Sequence, residues 1–110
     1  MAGKVIFCKK PYIGSSITKP NKVIRGLKHG KKQLKVFIVV LSEGSAQLEI
    51  FHSIFLQQWY YKENPPMIIG IAGSHEEAVE LVCQITKEAV EKTGKADLKS
   101  YLAERYEMHS

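Results

Sequence analysis

The first 42 residues of this chain contain no aspartate and no glutamate. They contain ten cations: Lys4, Lys9, Lys10, Lys19, Lys22, Arg25, Lys28, Lys31, Lys32 and Lys35. All 11 acidic residues lie beyond them, with only six basic ones, and the whole chain carries +5. Local ion pairing within the first third is therefore excluded. Either distant carboxylates neutralise that segment in the fold, or it presents a field that suits a polyanion.

Other absences exclude other things. No apolar run approaches the ~20 residues of a membrane span. Val5 to Cys8 is too short for the apolar core of a signal peptide. Only two cysteines occur, Cys8 and Cys83, so there is no disulfide framework and no Cys pair at metal-binding spacing. Reduced thiols and a cytoplasmic location are expected. There is no Gly-x-Ser-x-Gly elbow and no Gly-Lys-Ser/Thr phosphate loop. His75-Glu76-Glu77-Ala78-Val79 starts like a zinc-protease helix, but Val79 stands where the second histidine belongs. The histidines at 29, 52, 75 and 109 are scattered. No catalytic residue, metal or cofactor is expected.

The clearest unit runs from Met67 to Gly94. Met67 to Ala72 is apolar on both parities, as suits a strand covered on both faces. Asn64-Pro65-Pro66 stops what precedes it, because proline fixes φ and lacks a donor. Gly73 turns the chain, and Ser74 with Glu77 forms a capping box. Ala78, Leu81, Val82, Ile85 and Ala89 make one apolar stripe. Lys87 with Glu91, and Glu88 with Lys92, stand four apart with opposite charge. Gly94 suits the position just past a helix end.

Elsewhere, Lys4 to Cys8 reads as a first strand. Residues 9–22 read as a loop free to move, since they hold Pro11, Gly14 and Pro20 and lack periodic apolar positions. Val23 to Leu27 suits one helical turn. Leu34 to Leu41 is rich in β-branched residues and reads as a strand. Glu43 to Ala46 is a turn, and Leu48 and Ile50 alternate on the return strand of a hairpin. Residues 46–61 fit two periods. The preferred reading is a strand to about His52, then a short helix over Ser53 to Tyr61. A last helix from Ala96 to Tyr106 starts at Asp97, with Leu98, Tyr101, Leu102 and Arg105 on one face. Residues 107–110 read as a frayed tail. The architecture expected is α+β: one two-layer domain over residues 1–110, with a mixed sheet of three or four strands and two C-terminal helices mainly on one face.

Four candidate sites follow. Gly73, Ser74 and His75 open a helix whose free N–H groups suit an anion, although simple helix initiation explains them and Glu76 and Glu77 would repel a phosphate. Arg25, Lys28, Lys31 and Lys32 cluster near Gly30 and suit a polyanion, although internal compensation explains the charge as well. Trp59, Tyr60 and Tyr61 exceed what one core position needs, and such rings favour interfaces. Cys8 beside Lys9 and Lys10 has cations that lower a thiol pKa, but a small residue ending a strand is the plainer reading. Cys83 reads as a packing residue. The function expected is protein association, with a homodimer as one form. The alternative is nucleic-acid or polyanion binding through the basic third.

Overall fold

The computed structural model describes residues 5–31, 35–42 and 47–106, with side chains to Leu102. Lys4, Lys32, Leu34, the turn at 43–46 and the tail at 107–110 lie outside the described residues. In chain order the elements are β1 (Ile6–Ile13), α1 (Pro20–Lys28), β2 (Phe37–Leu41), β3 (Leu48–His52), a 3₁₀ turn (Ser53–Gln57), α2 (Trp59–Glu63), β4 (Met67–Ala72), α3 (His75–Thr93) and α4 (Leu98–Tyr106).

The four strands form one mixed sheet in the order β1-β4-β2-β3. β1 runs parallel to β4, and β2 runs antiparallel to both β4 and β3. β4 is central and has no exposed side chain. That explains its apolar character on both parities. Its pairing with β2 slips where Val39 faces Gly70 and Val40 faces Ile68. The slip lets Ile68 and Ile71 share one face while Ile69 and Ala72 share the other. Gly70 lies against the Tyr12 backbone and Leu81, where a side chain would crowd both.

One face carries α3 and α4, as expected. Ala78, Leu81, Ile85, Ala89, Leu98, Tyr101 and Leu102 bury there against Cys8, Tyr12, Val39 and Ile69. α3 begins at Ser74, whose hydroxyl accepts the Glu77 N–H at 3.1 Å, and ends at Gly94 with φ 75°. A left-handed residue of this kind is where glycine avoids the Cβ penalty. Asp97 accepts the Ser100 N–H at the start of α4. Glu88 reaches inward from α3. Its carboxylate accepts the hydroxyls of Tyr12 at 2.6 Å and Tyr101 at 3.2 Å, joining β1, α3 and α4.

The other face is covered by a segment whose sequence reads as loop. β1 continues to Ile13, beyond the Cys8 end expected for it. Pro11 is accommodated because β1 is an edge strand and its pairing is irregular between Phe7 and Tyr12. Pro20 opens α1 rather than breaking it, since its fixed φ suits the first helical position. α1 then buries Leu27 and packs Val23 and Ile24 against Ile38, Val40, Ile68 and Ile71. The 46–61 ambiguity resolves as preferred: β3 ends at His52 and short helical turns follow. The Leu34–Leu41 strand is shorter than expected, beginning at Phe37. Cys83 is exposed on α3, not packed, because the stripe turns Leu81 and Ile85 inward and leaves position 83 outside.

Candidate functional site: a basic cleft at the strand ends

Three chain segments meet at one end of the sheet. Residues 14–19 leave β1, Gly73 leaves β4, and Lys35 and Val36 enter β2. The carboxyl ends of two parallel strands thus lie side by side, the position at which open α/β sheets form ligand crevices.

A cleft of about 740 Å³ opens there. Val36 and the α1 residue Val23 contribute apolar wall, with Ile17 from the connecting loop. The rest of the lining holds five cations, Lys19, Lys22, Arg25, Lys31 and Lys35, with Ser16, Thr18, Gly26, His29 and Gly73 between them. Among the described residues no carboxylate is part of the lining itself, although Glu77 bonds two lining residues from behind, and none forms an ion pair with these five cations. Lys22, Arg25 and His29 recur at helical spacing, so α1 turns its apolar side to the sheet and this side to the cleft. Five of the ten cations of the first third thus share one cleft.

One wall is held by a carboxylate. Glu77 accepts the Gly73 N–H at 2.7 Å, the Ser16 N–H at 3.0 Å, the Ser16 hydroxyl at 2.7 Å and the Ser15 hydroxyl at 3.3 Å. The Gly73 N–H holds its pKa below the usual glutamate value; partial burial opposes this, and the serine donors reinforce it. The capping box is thus half as expected. Ser74 caps α3, but Glu77 reaches to Gly73 and across to the β1–α1 loop. Gly14 and Gly73 are required by this arrangement. A Cβ at Gly14 would collide with the Glu77 carboxylate, and one at Gly73 with the Ser16 hydroxyl.

The candidate residues named from sequence divide accordingly. At Gly73, Ser74 and His75 the helix start is occupied from within: Gly73 donates to Glu77, and Ser74 accepts from it. His75 stands edge-on to Phe37, 6.0 Å between rings. Of the polyanion candidates, Arg25 and Lys31 line the cleft. Lys28 points elsewhere, 5.7 Å over the Phe7 ring, and Lys32 is outside the described residues. Lys19, Lys22, His29 and Lys35 line the cleft as well, a grouping that the sequence pattern does not mark. A full helix from Pro20 would have grouped most of them, and the proline and glycine signals hid it. Cys8 is buried, with its thiol directed at the Ile69 carbonyl at 3.7 Å.

The aromatic candidates also divide. Tyr61 stacks on Phe51 at 5.2 Å and Tyr60 meets Tyr61 edge-on. Trp59 is 74% exposed, and Phe55 and Tyr60 beside it exceed 40%. This segment adjoins the basic loop: Gln57 donates its side-chain N–H to the Gly30 carbonyl at 3.2 Å. Among the described residues no group of His, Cys, Asp or Glu is placed to hold a metal. No described helix is long and apolar enough to cross a membrane. Comparison with family models, curated proteins and solved structures finds no match.

Proposed function

We propose that this chain is a polyanion-binding module whose ligand-facing surface is the basic cleft, and that nucleic acid is the polyanion. The observation that carries the reading is the convergence of Lys19, Lys22, Arg25, Lys31 and Lys35 on one cleft, where among the described residues no carboxylate pairs with them. Cations placed so close repel one another, and a bound anion relieves that repulsion. The concave shape focuses the field and raises the local concentration of an anionic partner. Arginine offers a fork for phosphate oxygens and the lysines act as point charges. None of this reads bases, so affinity should be largely independent of sequence and should fall with salt as counterions are released. Both cysteines are free, which accords with a cytoplasmic role.

The test is an isotherm with labelled DNA and RNA at about 50 mM and 200 mM salt. The expected outcome is a linear log–log loss of affinity, about −0.7 to −0.9 per phosphate neutralised. Lys22→Glu with Arg25→Glu should weaken binding across all sequences alike. If no binding appears at the lower salt, where electrostatics are strongest, the reading is wrong.

A second reading is protein association, including a homodimer, through the exposed Ile54, Phe55, Trp59 and Tyr60. Large apolar side chains grouped on one short segment favour interfaces. Sedimentation at high micromolar concentration decides it, and a protein that stays monomeric removes self-association.

A further inference from the structure

We infer that the nucleic acid taken by this cleft is single-stranded, with Trp59 as the platform on which a base stacks. The inference rests on the polyanion reading and adds the strandedness and the base contact. Three observations carry it. First, Lys31 lines both the main cleft and a small hollow whose opposite wall is Leu56, Gln57 and Lys62. That hollow holds only about 20 Å³, but it sets Lys62 of α2 beside Lys31 at the edge of the cleft. Second, the Gln57 to Gly30 hydrogen bond pins that turn to the basic loop, so the basic and aromatic segments are held together. Third, Trp59 lies three residues before Lys62 on α2 with its indole 74% exposed, and it takes no part in the Phe51, Phe55, Tyr60 and Tyr61 ring contacts.

An exposed indole on the same short helix as Lys62, with Lys31 and the cleft next to it, is the pairing that single strands require. The cations follow the phosphates, and an unpaired base offers a π-face to the ring. In a duplex the base faces are already stacked inside the helix. A duplex could engage the cleft through its backbone, but it has no free base for Trp59. The ring is also costly to leave in water, and a stacked base removes that exposure.

Trp59 is the sole tryptophan, so its fluorescence reports this ring alone. The experiment titrates the full chain with a thymidine oligonucleotide, a duplex of equal length and inorganic polyphosphate at one salt concentration. The single strand should quench the emission and bind more tightly than the duplex; polyphosphate should bind with little quenching. Trp59→Ala is exposed enough to fold normally. Followed with a labelled strand, it should lose about fivefold or more in affinity for the oligonucleotide and keep its affinity for polyphosphate. Trp59→Phe should recover part of the loss. If the single strand binds without quenching, if Trp59→Ala binds it as well as wild type does, or if the duplex binds more tightly, the stacking inference falls and the polyanion reading stands. If Trp59 emission changes with protein concentration alone, the ring belongs to a self-interface and the inference also falls. If neither polyphosphate nor any strand binds, the polyanion reading itself fails and takes the inference with it.

Discussion

Replacing Glu77 tests the internal carboxylate that holds the cleft wall. In Glu77→Ala four donors lose their acceptor: the N–H groups of Gly73 and Ser16, and the hydroxyls of Ser15 and Ser16. The bond to Gly73 is partly buried and the other three are exposed. Water replaces the acceptor for the exposed donors, so together they contribute about 0–1 kcal/mol. The half-covered Gly73 N–H costs about 1–3 kcal/mol when left unpaired. A loss of about 2 kcal/mol follows, which at this chain length lowers Tm by roughly 8 °C. Glu80→Ala, an exposed position on the same helix, should stay within about 0.5 kcal/mol of wild type. The pH dependence supplies an independent arm. Because Gly73 N–H and the serine donors hold the folded pKa down, stability from this carboxylate is fully present above the ordinary value of about 4.3. It is lost as pH falls through the lower folded value. Urea unfolding of wild type and Glu77→Gln should therefore differ at neutral pH and converge in acid. An alanine variant within 0.5 kcal/mol of wild type at pH 7, or a glutamine difference that ignores pH, refutes the role given to this carboxylate.

Two further stability predictions rest on single bonds. Ser74→Ala removes the α3 cap and should cost about 0.5–2 kcal/mol, measured by thermal or urea unfolding; an unchanged midpoint would mean another group caps the helix. Tyr12→Phe removes the 2.6 Å hydroxyl bond to Glu88. It should cost about 1.5 kcal/mol, less than a lone buried bond to a charge could, because Tyr101 and Gln84 still serve that carboxylate. A Tyr12→Phe protein as stable as wild type would show that the other donors to Glu88, Tyr101 and Gln84 among them, satisfy it without Tyr12.

The aromatic and basic segments look unrelated in sequence, some thirty residues apart. The fold brings them together because β3 returns antiparallel to β2, so the chain leaving His52 passes beside the chain that entered β2. Lys31 and Gln57 thereby become neighbours. Neither segment suggests single-strand binding alone. Cations without a ring read as general anion affinity, and a ring without cations reads as an interface.

Local chemistry determined much of this protein from sequence alone. β4 and α3 were legible because their signals are short-range: an apolar run between prolines and glycine, a serine cap, a 3.6-residue stripe and a terminal glycine. The charge asymmetry was legible because it is composition. What tertiary structure decided was every feature that depends on who sits opposite. Pro11 and Pro20 look like breakers until one lies on an irregular edge strand and the other at a helix start. Only the fold exposes Cys83 and Trp59, sends Lys28 to Phe7, and gathers Lys19, Lys22, Arg25, Lys31 and Lys35 from three segments around one cleft. Glu77 is the sharpest case. Its spacing from Ser74 marks it as a capping residue, but its acceptors' partners lie more than sixty residues earlier as well as four residues back. A carboxylate bonds whichever donors the packed backbone brings within reach, and that geometry is set by the whole sheet rather than by its neighbours in the chain.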